Sequence, residues 1–327
     1  MRTGTSGARY ENVVIVTRPT ELDELIARFN TEAQAKFYLT QAGQSFDRIR
    51  RAHESHYRTL TEVRKAIPPS TKHQVVSREL LPMFTFGDDD LVVTVGQDGL
   101  VSNTAKYLGS QPILAVNPDP ALFDGVLLPF TAQSVGDYLN RALKGEHVIK
   151  AVTMALARLA DGQALLAFND FFIGANSHVS ARYEIEVAGQ RENQSSSGII
   201  VSTGAGSTGW LRSVYAGAAG VVEALGGTVR HQQGLSLPWD TDRLVYSVRE
   251  PFPSQVTQCS LVHGAFDDAN PLKITSRMAR NGLIFSDGVE ADYLEFNSGA
   301  ELTITTAPRQ AHLIARPSER GIARAAR

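Results

Sequence analysis

Leu91-Val-Val-Thr-Val95 followed by Gly96-Gln97-Asp98-Gly99 and Leu100 is the stretch that decides the fold. Five apolar or β-branched residues in a row suit a strand covered on both faces rather than one with a wet side. The glycines punctuate it, and Leu100 to Leu108 then suits a helix. Pro112-Ile-Leu-Ala-Val-Asn117 is the next strand. Strand, helix, strand of this kind predicts a parallel sheet clad in helices. Ligands of such sheets bind beyond the carboxyl ends of the strands, which is where residues 96–99 fall. Glycines there let backbone N–H groups approach a phosphate, the helix start adds a favourable dipole, and Asp98 faces the same crevice. The same four residues also suit an Asp-Gly hairpin turn that binds nothing.

Upstream, Val13-Val-Ile-Val16 reads as a buried strand. Pro19 and Thr20 open a helix with Leu22, Leu25, Ile26 and Phe29 on one face. A second helix fits Phe46 to Ile67, where Pro68-Pro69 stops it. Beyond about residue 150 the pattern changes to short strands: Leu165–Phe168, Tyr183–Val187, Ile199–Val201, Leu244–Val248, Val256–Val262, Leu272–Ile274 and Leu302–Thr306. Only Trp210 to Leu225 interrupts them with a helix. The expected plan is an N-terminal α/β domain over residues 10–135 and a β-rich domain over 136–307. A basic tail follows over 308–327, with five arginines against Glu319. Two parts of this kind leave a cleft for a ligand.

With 327 residues and 43% hydrophobic content the chain can bury a core without disulfides. Its one cysteine, Cys259, reads as a small buried hydrophobe. A net charge of −2 excludes a globally basic nucleic-acid binder but not a site for a small anion. No apolar run approaches the roughly 18 residues of a membrane span. Met1 to Tyr10 carry two arginines and no apolar core, unlike a secretory signal, so a cytoplasmic location is expected.

Three further segments suit a nucleotide. Ser202-Thr-Gly-Ala-Gly-Ser-Thr-Gly-Trp210 follows a strand and precedes a helix, and its glycines and hydroxyls suit a phosphate cradle. Gly204 to Gly209 spells G-x-G-x-x-G, but the window Val229–Gly234 lacks the acid that a dinucleotide fold requires. Asn169-Asp170 ends a strand with two short polar side chains fit for a ribose or an adenine edge, or for an Asx turn. Phe285-Ser-Asp-Gly288 is most simply a turn. His178, His231 and His263 have no metal-ligand spacing, and no nucleophile elbow is present.

Taken in order, these segments resemble the NAD kinase family, and its mitochondrial-type branch more than the common bacterial one. Gly96-Gln-Asp-Gly99 stands where the family has Gly-Gly-Asp-Gly, and Val116-Asn-Pro-Asp-Pro120 resembles Val-Asn-Thr-Asp-Pro. Asn169-Asp170 with Phe171-Phe-Ile-Gly174 resembles Asn-Glu followed by Val-Phe-Ile-Gly. Ser196-Ser197-Gly198 and Thr203-Gly-Ala-Gly-Ser207, ending in Trp210, resemble Ser-Ser-Gly and Thr-Gly-Thr-Gly-Ser. Tyr246-Ser-Val-Arg-Glu-Pro251 resembles a segment with Ser-Ile-Arg-Glu-Pro. The likeness runs collinearly over about residues 50 to 310.

The resemblance implies an N-terminal α/β nucleotide domain with a C-terminal β-sandwich-like domain, and transfer of the ATP γ-phosphate to the 2'-hydroxyl of the adenosine ribose of NAD, with Mg²⁺ or another divalent cation, by a homodimer. Its partners would be small nucleotides rather than nucleic acid or membrane. It makes Asp98 the catalytic aspartate. It assigns Gly96, Gln97, Gly99, Gly204, Gly206, Ser207 and Thr208 to the phosphates, and Asn169, Asp170, Trp210, Ser197, Asn117 and Asp119 to the acceptor. Three positions depart from the pattern: Gln97 replaces a glycine, Leu100 a small hydroxyl residue, and Asp170 a glutamate. They leave open a kinase of the same fold acting on a sugar, nucleoside or lipid hydroxyl, or a weakly catalytic nucleotide-binding protein.

Overall fold

The computed structural model describes residues 10–229 and 236–317. His231, most of the Val229–Gly234 window, the first nine residues and the end of the basic tail lie outside the described residues. The chain forms two compact units. One comprises the residues up to Lys150 with those from His312 onward, and the other is Ala151–Ala311.

The first unit runs β1 (Asn12–Thr17), α1 (Glu21–Phe29), α2 (Glu32–Gln41), α3 (Phe46–Ala66), β2 (Lys72–Ser77), β3 (Asp90–Val95), α4 (Asp98–Ala105), β4 (Pro112–Asn117), the two-residue β5 (Phe130–Thr131) and α5 (Val135–Leu143). The sheet order β2-β1-β3-β4 is parallel throughout, with Ile15 opposite Val75 on one side and Val93 on the other. Every residue of β3 and β4 is buried, as the uninterrupted apolar runs require. Thr20 caps α1, accepting from the Asp23 N–H while the Asp23 carboxylate accepts from the Thr20 N–H at 2.8 Å. On α3, Ile49, Leu60 and Val63 turn inward, and the helix gives way at Ile67, held extended by Pro68. The unforeseen α2 buries only Ala35 and Leu39 and leaves Phe37 exposed, so its sequence carries no apolar stripe.

The second unit runs β6 (Val148–Leu159), β7 (Ala164–Ala167), β8 (Asp170–Ala175), β9 (Ala181–Val187), β10 (Gln190–Ser196), β11 (Ile199–Ser202), α6 (Trp210–Ala224), β12 (Leu244–Val248), β13 (His263–Phe266), β14 (Leu272–Ser276), β15 (Gly282–Ser286), β16 (Val289–Glu295) and β17 (Glu301–Ala315). One sheet contains the antiparallel run β10-β9-β14-β17, with β6 joining β17 to β7. The other is β13-β12-β11-β8-β15-β16, antiparallel throughout. Phe171, Ile173, Ile199 and Val201 from the second sheet share one core with Tyr183, Ile185, Leu272 and Ile274 from the first. Alternation then turns Asp170, Phe172, Gly174 and Ser202 to the opposite face of the second sheet.

Four expectations need revision. The first unit extends to Lys150 rather than to 135. Residues 308–315, read as tail, finish β17, where Ala311, Leu313 and Ile314 are buried. Val256–Val262 is not a strand: Val256 is exposed, and hydroxyl bonds such as Thr257 Oγ1 to the Phe252 carbonyl (2.8 Å) shape an irregular loop. Cys259 lies in that loop and is only partly buried.

Candidate functional site

In the first unit the site is built on the turn between β3 and α4, which is not a hairpin. Gln97 is the N-cap of α4 with φ −89° and ψ 168°, a conformation open to any residue, and its side chain makes no capping bond. Gly96 is the constrained position: a Cβ there would stand 2.8 Å from the Leu100 side chain, which is itself buried. Leu100 therefore packs back over its own turn.

Asp98 opens α4, and its Oδ1 accepts a hydrogen bond from the Leu127 N–H at 2.6 Å. The loop that presents this N–H is shaped by Asn117. Its amide donates to the Phe123 carbonyl and accepts from the Asp119 N–H, both at 3.0 Å. Asp119 in turn accepts from the Ala121 N–H at 3.1 Å. Gly125, at φ +63°, passes so close that a Cβ would stand 2.5 Å from the Asn117 amide nitrogen. Asn117 and Asp119, assigned by resemblance to the acceptor, thus spend these groups on holding the loop that orients Asp98. Beside the turn lies a cleft of about 310 Å³ that reaches Gly96, Gln97 and the flank of α3.

In the second unit the Asn169-Asp170 corner is clamped by Asp287. This residue and Gly288 form the β15–β16 turn with φ +53° and +70°, the backbone of a type I′ hairpin. The Asp287 carboxylate accepts from the N–H groups of Phe168 (2.9 Å) and Asn169 (2.6 Å), while its own N–H donates to the Asp170 carbonyl at 3.0 Å. Asp170 is buried, and its Oδ1 has no hydrogen-bond partner. Burial drives its carboxyl up to about 7. The Ser202 hydroxyl and the Trp210 N–H oppose that rise, and the nearby Asp287 carboxylate adds to it.

The glycine-rich run wraps around the same corner. Thr203 Oγ1 donates to the Phe168 carbonyl at 2.7 Å, and the Thr203 N–H to the Asn169 carbonyl at 2.9 Å. A Cβ on Gly206 would stand 2.2 Å from that Asn169 carbonyl, and one on Gly204 2.0 Å from the Pro238 carbonyl. Both glycines therefore have a reason internal to the fold. The Ser207 hydroxyl is also engaged, donating to the Gly204 carbonyl and accepting from the Leu237 N–H. Thr208 is exposed.

Trp210, the first residue of α6, stacks on Phe172 with centroids 6.0 Å apart and planes 14° from parallel, and Phe285 lies 5.1 Å from Phe172 on another side. The Arg249 guanidinium sits 5.7 Å from the Trp210 ring. These residues, with Ser197 and Tyr293, line an open cavity of about 930 Å³. Gly174 and Gly198 lie under Phe172, where either Cβ would stand 2.7 Å from its ring. Asp287, Arg249, Phe172 and Phe285 were not read as site residues, whereas Trp210 was. Alternation along Asp170, Phe171, Phe172 was the available signal for Phe172, since residues two apart share a face. Among the described residues no group of three or more His, Cys, Asp or Glu side chains is placed to hold a metal ion.

No protein-family profile matches the chain. Among curated proteins, rat and human mitochondrial NAD kinase 2 are each 24% identical over alignments of 325 positions. These cover 78% of this chain and 76% and 74% of the rat and human proteins. The Xenopus tropicalis protein of that name is 22% identical over 387 positions, covering 91% of this chain and 88% of its own. Among solved structures, yeast NADH kinase complexed with NADH superposes with a TM-score of 0.60 at 16% identity, over 96% of this chain and 86% of its own. An Archaeoglobus fulgidus NAD kinase in complex with ATP gives 0.55 at 15%, over 93% of each chain. The collinear motifs, the curated relatives and the shared fold point the same way: the chain is similar to NAD kinases, and among curated proteins to those of the mitochondrial type.

Proposed function

We propose that the chain phosphorylates NAD at the 2'-hydroxyl of its adenosine ribose, using ATP and giving NADP. The observation that carries this reading is the buried Asp170 oxygen without a partner, set beside the Trp210–Phe172 stack. A carboxyl with an unmet hydrogen-bonding oxygen next to an aromatic shelf suits a nucleoside, whose ring stacks while its hydroxyls or ring edge meet the polar group. That the yeast relative was solved with NADH and the archaeal one with ATP supports the same pairing of substrates.

In this reading the acceptor hydroxyl oxygen attacks the γ-phosphorus, the bond to the β–γ bridging oxygen breaks, and ADP leaves. Asp98 takes the hydroxyl proton late, which an ordinary carboxylate can do because the transition state is loose and charge neutralisation dominates. Asn169 and Asp170 hold the acceptor, Trp210 and Ser197 border its cavity, and the N–H groups of the Gly96–Gly99 turn meet the donor phosphates. A divalent cation carried in on ATP would be held chiefly by the substrate phosphates, with one or two carboxylates, as Mg²⁺ commonly is. Such an ion supplies charge neutralisation on those phosphates. The deciding experiment is an assay of purified protein with NAD and Mg-ATP, reading NADP enzymatically. NADP formation at a rate that scales with protein is expected, and its absence alongside ATP consumption with another alcohol would overturn the assignment.

A further inference from the structure

Just past the end of β12 the backbone takes a costly conformation beside the cavity that holds Trp210. The Arg249 N–H donates to the Gly198 carbonyl at 2.8 Å, and the Arg249 carbonyl accepts from the Ser197 N–H at 2.9 Å. Three residues on, the Phe252 N–H donates to the Ser195 carbonyl at 2.8 Å. Between these clamps Glu250 stands at φ +48°. Few residues other than glycine take a left-handed backbone, and Pro251 pushes its predecessor toward extended conformations. Glycine would be relaxed at this position. The chain places an acid there instead, and backbone strain of this kind gathers at ligand sites.

Glu250 and Arg249 both line the cavity of about 930 Å³, where Glu250 is the acid among the lining residues and His178 the other base beside Arg249. Glu250 is exposed, and among the described residues neither it nor Arg249 forms a salt bridge. Neighbouring charges of opposite sign that do not pair with each other suit a ligand that carries both signs. The Arg249 guanidinium, 5.7 Å from the Trp210 ring, suits a pyrophosphate bridge. The oxidised nicotinamide ring is a cation, whereas the reduced ring is neutral. A unit charge pair about 4 Å apart in water is worth about fivefold in binding, and a neutral ring gains none of it.

We infer that Glu250 is a specificity-determining residue of the acceptor cavity, its carboxylate held against the nicotinamide end so that NAD is favoured over NADH. The inference rests on the NAD kinase reading and adds the redox state that the cavity selects. Calorimetric titration of the full chain with NAD, and separately with NADH, tests it without turnover. Glu250→Gln keeps the size and a hydrogen-bond acceptor but removes the charge. It should weaken NAD binding by about fivefold and leave NADH within about twofold of wild type. Glu250→Gly should lose the same preference while its Tm rises, because glycine relaxes the backbone at φ +48°. That pair of readouts separates the carboxylate from the turn it sits in. Equal weakening of both dinucleotides in Glu250→Gln would mean that the side chain bonds a group common to the two, and overturns the inference. An unchanged ratio of the two affinities in either variant overturns it as well, and leaves the NAD kinase reading standing if wild type makes NADP. Loss of the preference as expected, in a protein that makes no NADP, sinks only the kinase reading. Failure of wild type to bind either dinucleotide sinks both.

Discussion

Oδ1 of Asp98 is fixed by the Leu127 N–H at 2.6 Å, so the carboxylate is aimed by a loop twenty-nine residues away and not by its own turn. Asparagine can accept the same hydrogen bond through its carbonyl while losing the charge and the proton acceptor. Asp98→Asn should therefore lower kcat by about 10²–10⁴-fold with little change in Tm. A kcat within about threefold of wild type would show that Asp98 only shapes the turn.

Asp287 should matter for stability out of proportion to its place in a hairpin turn. Asp287→Ala strands the N–H groups of Phe168 and Asn169 and leaves alanine at φ +53°. A loss of about 3 kcal/mol in urea unfolding is expected, since each unmet buried donor costs about 1–3 kcal/mol. Asp287→Asn keeps an acceptor and tolerates the backbone, so it should lose markedly less.

The carboxyl of Asp170, raised to about 7 by burial, gives a pH signature. A raised pKa means the folded state binds the proton more tightly than the unfolded chain. The stabilisation is complete below the unfolded value, near 3.8, and is lost as pH rises through about 7. Asp170→Asn cannot ionise, so its stability relative to wild type should improve from pH 5 to pH 8. Parallel stability curves across that range would show that Asp170 titrates normally.

Trp210→Ala removes one face of the Phe172 stack. NAD binding should weaken by roughly 1–3 kcal/mol, the scale of base–aromatic stacking. Calorimetry on the folded variant checks this, and an unchanged Kd would remove the indole from the acceptor site.

Because Gln97 has φ −89°, glycine is not needed there for conformation. Gln97→Gly should cost only a few tenths of a kcal/mol as a cap exchange, while lowering the KM for ATP without changing NAD affinity. Abolished turnover would instead make the amide a functional group of the site.

The elements readable from sequence were those whose burial leaves a local pattern. β3 and β4 are buried along their whole length and so appear as unbroken apolar runs, and α3 is periodic and ends in paired prolines. β10 left no such trace. Gln190 to Ser196 is polar almost throughout, held by its ladder to β9 and by the bonds of Tyr183 Oη to Gln194 and Ser196. Asp98 and the Asn169-Asp170 corner were visible because they sit at strand ends. Asp287 was not, because its partners at Phe168 and Asn169 are more than a hundred residues away in the chain. The loop 256–262 misled because β-branched and apolar residues suggested a strand where side-chain hydroxyls set the path.

The two glycines beneath Phe172 also mark where the proposed acceptor cavity can be redesigned. With no side chains under the ring, shortening Phe172 would open a pocket floored by bare backbone and still walled by Trp210 and Phe285. Bulk lost at that one position is not refilled from below, so Phe172→Leu and Phe172→Ala offer graded room for bulkier nucleoside analogues. Gly174 and Gly198 are the positions that a library aimed at such analogues should leave untouched.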